Sequence, residues 1–284
     1  MNYFFSVAIF MSMLRGATPL VFASMGGLLS EKSGVVQIAL EGFMLTGALW
    51  GAIFGLKFSN PWMAFAIAGL ASMLLAQLFC FFVLYLRSNQ IVVGTAINIF
   101  ATGVSPFVTK ILFDSTGSTP ALPMESRFLW GPIVLAIVVA MALHLWIQQT
   151  KAGLFLQFGG EQPEALQASG HNLFSLRWMS VTVGAGLAGL GGACLSMFLA
   201  SSYSPNMTAG RGFMSLAALI FGKWKPLPTL AACLFFAYVD AVQVQLQGVA
   251  GVPVQLIQIL PYVITIVAVT GFFGGSKAPK FLGR

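Results

Sequence analysis

Long apolar stretches dominate the chain, and short polar connections separate them. The stretches fall at roughly 4–29, 33–56, 61–86, 89–113, 129–149, 178–200, 204–222, 227–247 and 254–273. About 20 apolar residues suffice for a helix to cross a bilayer, with its backbone polar groups satisfied internally. A transmembrane β-barrel would instead alternate apolar and polar positions in segments of about 10 residues. The pattern therefore predicts an all-α, polytopic transmembrane protein with about eight to nine spans.

Two of these stretches are expected to be broken or re-entrant. The stretch 33–56 contains Glu41 and several glycines, and the stretch 204–222 opens with a proline and two glycines. Ionisable groups inside a membrane are costly, which makes Glu41 a functional candidate. The alternative is that Glu41 makes a buried hydrogen bond that holds a broken helix.

The two irregular stretches also resemble each other. Glu41–Gly51 reads EGFMLTGALWG, and Arg211–Gly222 reads RGFMSLAALIFG. Transporter folds often contain such weak internal repeats, with the substrate path at the repeat interface. Chance similarity between two spans rich in small residues is the alternative. A true repeat places Glu41 and Arg211 at equivalent positions.

Composition and charge agree with a membrane protein. Only 7% of the residues are charged and 58% are hydrophobic, whereas an ordinary soluble domain is about 25% charged. The net charge of +7 does not indicate nucleic-acid binding, because no basic run contains interleaved aromatic residues. Basic residues collect in cytoplasmic loops. If the polar segment Gly159–Trp178 is cytoplasmic, this rule predicts an external N-terminus and a cytoplasmic C-terminus.

That polar segment reads GGEQPEALQASGHNLFSLRW. Proline suits a first helical turn, and Glu, Ala, Leu and Gln favour helix, so Pro163–Ser169 is predicted to form a short helix that Gly170 ends. A short helix held between two spans can transmit a movement from a soluble partner to the membrane helices. An ordinary surface connector is the alternative.

Polar groups elsewhere suggest a substrate path rather than an active site. We expect Glu41, Asn98, Thr208 and Arg211 to line it, because a half-helix start offers free amides inside the membrane. Such a lining suits a neutral solute with several hydroxyl groups. Asp240 could serve this path or lie at the membrane surface.

The sequence gives little support for catalysis or for a resident cofactor. It contains no paired aspartates, Ser–His set or metal-ligand spacing, so no catalytic residue and no metal site are predicted. The stretch GAGLAG at 184–189 lies in an apolar run and is interpreted as helix packing. The stretch GGLLSEKS at 26–33 lacks the second glycine of a P-loop, so the chain is not expected to bind ATP.

Several motifs in one order resemble a known family. They are SEKSGVVQIALEGFMLTGA, SNQIVVGTAIN, TKAGL, GGEQPEALQASG, NMTAGRGFMSLAALIFGKWKP and LPYVIT. The chain resembles the permease subunit of bacterial ABC importers, in the family that handles simple sugars, nucleosides and branched-chain amino acids. The blocks SEKSGVVQIALEG and TAGRGF are most similar to the nucleoside and simple-sugar branch.

The resemblance implies a division of labour. Residues 1–284 would form a single transmembrane permease domain in the bacterial cytoplasmic (inner) membrane, with a cytoplasmic coupling loop at about 150–177. Partners would be a second permease chain, identical or not, a cytoplasmic ATPase that holds ATP and Mg²⁺, and an extracytoplasmic solute-binding protein. The family's coupling helix falls on Gly160–Gly170, here called the docking segment, with ATPase-coupling residues Gly160, Glu161, Pro163, Glu164 and Gly170.

The sequence therefore predicts an importer permease for a nucleoside or simple sugar, working by alternating access. Two alternatives remain: a secondary transporter or channel for a small polar solute, and an ABC permease for branched-chain amino acids. An intramembrane enzyme has the least support.

Overall fold

The computed structural model describes residues 7–58, 60–115, 117–246 and 278–283, together with Ile259 and Val263. These residues form helices and no strands. The ten α-helices of this part of the chain are α1 Val7–Lys32, α2 Leu40–Lys57, α3 Pro61–Cys80, α4 Gln90–Phe113, α5 Gly131–Gln149, α6 Lys151–Glu161, α7 Pro163–Ala168, α8 Leu173–Cys194, α9 Arg211–Phe221 and α10 Pro226–Leu246. Single π-helical turns at Phe81–Tyr85 and Leu195–Leu199 extend α3 and α8, and Met124–Ser126 forms a 3₁₀ turn.

Six of the described helices are long and apolar enough to cross a membrane: α1, α3, α4, α5, α8 and α10. The shorter α2 and α9 occupy the two stretches that were expected to be irregular. These stretches are irregular in their first parts, since the chain is not helical just before Leu40 or just before Arg211. The prediction of an all-α polytopic protein is confirmed. The predicted span at 254–273 lies outside the described residues except for Ile259 and Val263.

Asparagine side chains fix where several of these helices begin. Asn60 accepts a hydrogen bond from the backbone N–H of Trp62, and Asn89 accepts from that of Ile91. Asn172 does the same for the start of α8. Such N-caps satisfy amides that have no partner within the helix, and each contributes about 1 kcal/mol.

The centre of the bundle is the antiparallel pair α1 and α8. At Gly26 and Gly184 the two backbones touch, so a Cβ added to either glycine would collide with the carbonyl oxygen of the other. Small residues permit such close approach between membrane helices. Gly184 opens the stretch GAGLAG, so its interpretation as a packing motif is confirmed.

The helices around this pair are arranged in two similar sets. α2 packs against α8 and α3, whereas α9 packs against α1 and α10. α2 begins shortly after the C-terminal end of α1. α9 runs toward that end of α1, because Trp224, just after α9, donates a hydrogen bond to Glu31. α2 and α9 therefore run in opposite directions.

Candidate functional site

The helices α2 and α9 begin inside the bundle rather than at its surface. Their first-turn amides point away from their own helices and need partners from elsewhere. Side chains from other elements supply those partners at both starts. Buried glycines occupy the positions of closest approach, since a Cβ at Gly212 would lie 2.6 Å from the Cα of Glu41.

Glu41 binds the start of α9 with both carboxylate oxygens. Its Oε1 accepts from the backbone N–H of Gly210 at 2.8 Å, and its Oε2 accepts from that of Gly212 at 2.7 Å. Gly210 has a φ of 82°, a left-handed conformation that glycine adopts without a steric penalty. The carboxylate also lies at the positive end of the helix dipole, which stabilises its charge.

Asn98, on α4, binds the start of α2 in a similar way. Its Oδ1 accepts from the N–H of Gly42 at 2.8 Å, and its Nδ2 donates to the carbonyl of Ile38 at 3.0 Å. One neutral side chain thus holds the first turn of α2 and the chain that leads into it. Asn98, like Glu41, remains partly exposed.

Arg211 and Thr208 occupy different surroundings, although both were expected to line one path. Arg211 Nη2 lies 3.8 Å from Asp240 Oδ2, and the two side chains are 28% and 36% exposed. Thr208 is fully buried, and its hydroxyl has no hydrogen-bond partner among the described residues. The structure therefore brings Glu41, Asn98 and Arg211 to the helix starts with partly exposed side chains, and it adds Asp240. Thr208 lies in the turn before α9 with its side chain enclosed.

A buried carboxylate, Glu31, lies at the other end of α9. It is 2% exposed, and its Oε2 accepts from the indole N–H of Trp224 at 2.6 Å. Sequence reasoning weighed Glu31 only as a mismatch to a P-loop and missed this role. An acidic residue beside an otherwise apolar run is the feature that could have revealed it.

The docking segment lies beside Lys32, at the end of α1. The Gly160 carbonyl accepts from the N–H of Phe281 at 2.9 Å, and a Cβ at Gly160 would collide with the carbonyl oxygen of Lys32. Gly283 donates to the carbonyl of Gly34 at 3.0 Å, so residues 278–283 lie on this same side.

The docking segment has a buried face and an exposed face. Pro163 and Leu166 are buried, whereas Glu161 and Glu164 are exposed. Gly170, with a φ of 84°, follows the helix and donates to the carbonyl of Gln167 at 2.9 Å. The predicted short helix is confirmed over Pro163–Ala168.

These features define a multi-pass membrane protein in which α2 and the shorter α9 start inside the bundle. Helices that start inside the membrane are typical of transporters. Residues 9–269 match a family model described as branched-chain amino acid transport system / permease component. The chain belongs to this family of ABC transporter permeases, as the sequence motifs predicted.

Curated relatives cover most of the chain. The nucleoside ABC transporter permease protein NupC of Lactococcus lactis is 33% identical over 295 residues, which cover 95% of this chain and 93% of that protein. The guanosine ABC transporter permease protein NupQ of Bacillus subtilis is 31% identical over 294 residues, which cover 94% and 92%. The putative glucose ABC transporter permease protein TsgC13 of Haloferax volcanii is 29% identical over 262 residues, which cover 87% and 80%. No solved structure gives a significant match.

Proposed function

We propose that this chain is the membrane-spanning subunit of an ATP-driven importer for a nucleoside or a simple sugar. The observation that carries the ATP-driven part is the docking segment, which is anchored on one face and exposes Glu161 and Glu164 on the other. The substrate class rests on the relatives, of which two are named for nucleosides or guanosine and one for glucose. ATP and Mg²⁺ would be held by the partner ATPase, and a solute-binding protein would deliver the substrate from outside.

A continuous set of contacts leads from the docking segment to the helix starts. Gly160 packs on Lys32, and the preceding residue Glu31 is bound to Trp224 just after α9. The start of α9, 11 residues long, is in turn bound by Glu41. A partner that grips one position of the docking segment more tightly would shift the balance between two arrangements of α9. In this proposal the helix starts open alternately to each side of the membrane.

The chemistry at the helix starts suits a hydroxyl-rich neutral solute. Each Glu41 oxygen accepts one amide hydrogen bond and keeps a second lone pair for a substrate hydroxyl. Arg211 and Asp240 add donor and acceptor groups that are partly exposed. A substrate lacking hydroxyl groups would leave such groups unpaired, which costs about 1–3 kcal/mol for each group.

Co-purification tests the partner. Tagged protein would be isolated from its native membrane in mild detergent, and the proteins that accompany it identified by mass spectrometry. We expect an ATPase with a P-loop to accompany the wild type and to be lost from Glu161→Lys and Glu164→Lys. It should also be lost from Gly170→Pro, which removes an N–H donor and forbids the positive φ.

Glu125→Lys is the matched control, because Glu125 is also an exposed acid but lies in the Met124–Ser126 turn, near Phe58 at the far end of α2. This variant should retain the ATPase. Equal recovery of the ATPase from all variants would contradict the docking role. Solute uptake by the purified protein in vesicles, driven by an ion gradient alone, would favour a secondary transporter.

Direct uptake tests the substrate class. Uptake of radiolabelled guanosine, glucose and leucine would be measured separately in cells with and without the full transporter. The proposal expects guanosine or glucose to be taken up. Uptake of leucine alone would favour a branched-chain amino acid permease, the activity that the family description names.

A further inference from the structure

A basic cavity lies beside the docking segment, separate from the starts of α2 and α9. Its volume is about 540 Å³, and its walls come from the end of α3, the starts of α4 and α8, α7 and Gly283. Two guanidinium groups line it, those of Arg87 and Arg177, and its lining contains no Asp or Glu. The cavity is therefore suited to an anion.

The polar groups around the cavity reinforce this charge. The positive ends of two helix dipoles, at the starts of α4 and α8, meet at its wall. Gln90 is anchored there, because its Oε1 accepts from the N–H of Val36 at 2.7 Å. Arg177 is anchored too, because its Nε donates to the carbonyl of Ser33 at 3.0 Å. Arg87 is exposed and has no hydrogen-bond or ion-pair partner among the described residues.

The surroundings indicate the source of the anion. Ile91 and Phe174 line the cavity and are themselves exposed. Further large apolar side chains stand exposed on the chain segment that leads to Arg87, namely Phe81, Phe82, Tyr85 and Leu86. A basic pocket between helix ends, with exposed apolar side chains in its wall, matches how membrane proteins hold anionic headgroups. A free metabolite would not require these exposed apolar side chains.

We propose that this cavity binds the phosphodiester headgroup of an anionic phospholipid, with Arg87 and Arg177 on the phosphate and the acyl chains against the exposed apolar side chains. Gln167 of α7 also lines the cavity, so a bound lipid would contact the docking segment. Lipid composition would then influence how firmly that segment is held.

Native mass spectrometry of the purified full-length chain tests this proposal. The protein would be delipidated in neutral detergent and given phosphatidylglycerol or phosphatidylcholine with identical acyl chains. We expect phosphatidylglycerol to be retained more strongly. Arg87→Gln should reduce its retention about fivefold, since one basic side chain near an anionic lipid surface contributes about 1 kcal/mol.

Lys110→Gln is the control, because Lys110 is an exposed cation near the opposite end of α4. It should retain phosphatidylglycerol like the wild type. Equal retention of the two lipids, or no change in Arg87→Gln, would overturn the proposal. Displacement of the lipid by millimolar inorganic phosphate would instead assign the cavity to a free anion.

A further outcome separates this proposal from the proposed function. If Arg87→Gln loses the ATPase during co-purification but keeps phosphatidylglycerol, the cavity is part of the ATPase contact and the lipid assignment is wrong. Lipid retention by the isolated chain requires no transport. The lipid site can therefore hold or fail independently of the transporter assignment.

Discussion

The starts of α2 and α9 are alike in backbone geometry and different in charge. Gly42 and Gly212 are equivalent in the sequence repeat, and each donates its N–H to a side-chain oxygen, at 2.8 Å and 2.7 Å. For α2 the acceptor is the neutral amide of Asn98. For α9 it is the carboxylate of Glu41, which itself belongs to the first turn of α2. Asn98 therefore holds α2, and α2 in turn holds α9.

This difference shows that two similar sequences can share a backbone feature and differ in its partner. Each start has a glycine amide, but the residue that binds the amide differs. Charge-assisted hydrogen bonds are about twice as strong as neutral ones, so the position of α9 depends more on its cap than the position of α2 does. Under the proposed function, a movement of α9 would therefore have to break the stronger of the two caps.

The largest effect is expected when the two equivalent glycines are each replaced by alanine. A Cβ at Gly212 would lie 2.5–2.7 Å from atoms of Glu41, whereas one at Gly42 would lie 3.0–3.1 Å from atoms of Ile97 and Asn98. Gly212→Ala should destabilise the fold by about 3 kcal/mol, and Gly42→Ala by about 1 kcal/mol. Thermal unfolding followed by size-exclusion fluorescence of the tagged protein measures both effects.

Gly103→Ala supplies the control for this pair. Gly103 lies in α4, and a Cβ there would meet no described atom within 4 Å. Its stability should match or slightly exceed that of the wild type, because alanine favours helix. If Gly42→Ala proved as destabilising as Gly212→Ala, the two starts would be equally tight and the contrast between them would fail.

Replacing the caps themselves should have the next largest effect. Glu41→Gln keeps one acceptor oxygen for the amides of Gly210 and Gly212 and removes the charge. The cap at the α9 start should therefore be weakened by about 2 kcal/mol of free energy. Substrate uptake per unit of membrane-inserted protein should fall more than tenfold, the factor that corresponds to about 1.4 kcal/mol. Asn98→Ala removes a neutral cap and should reduce uptake about threefold, which corresponds to about 0.7 kcal/mol.

Uptake of labelled substrate, normalised to protein in the membrane by immunoblot, distinguishes these two variants. Glu41→Asp is the informative companion, since it keeps the charge on a shorter side chain. Partial recovery of uptake by Glu41→Asp would assign the effect to charge at the α9 start. Normal uptake by Glu41→Gln would show that a neutral cap suffices there, as it does at α2.

The far end of α9 offers a comparison with its start. Trp224→Phe removes the indole donor and leaves a buried oxygen of Glu31 without that hydrogen bond, so stability should fall by about 1.5 kcal/mol. Uptake per folded molecule should fall less than in Glu41→Gln. Trp130→Phe, at an exposed tryptophan, is the control in the same unfolding measurement and should be close to the wild type. A loss of stability equal in both variants would remove any special role for the Glu31 contact.

Hydrophobic patterning predicted most of the helices because each depends on a local run of apolar residues. It also indicated that α2 and α9 would be irregular, since glycines and Glu41 interrupt those runs. It could not predict that Glu41 contacts Gly210 and Gly212, because residues so distant in sequence meet only through packing. The buried contact of Glu31 was missed for the same reason.

Thr208 shows a local limit of the same kind. The sequence placed a helix start at Thr208–Arg211, whereas the helix begins at Arg211 and residues 205–210 form turns. Asn206 and Ala209 adopt positive φ values of 53° and 45°, which a helix does not allow. Those turns leave the Thr208 side chain buried, away from the partly exposed groups.

The smallest effect on stability is expected at the ion pair beside the α9 start. Arg211 and Asp240 are 3.8 Å apart and partly exposed, and such pairs contribute at most about 1 kcal/mol. A double-mutant cycle of Arg211→Gln and Asp240→Asn should therefore give a coupling energy below about 1 kcal/mol in unfolding experiments. Under the proposed function, the same cycle measured by substrate affinity should show larger single-variant effects, because a solute at the α9 start would contact both side chains. If the affinity were unchanged in both single variants, Arg211 would be only a neighbour of the α9 start, and Glu41 would be the one charged group there that acts on the solute.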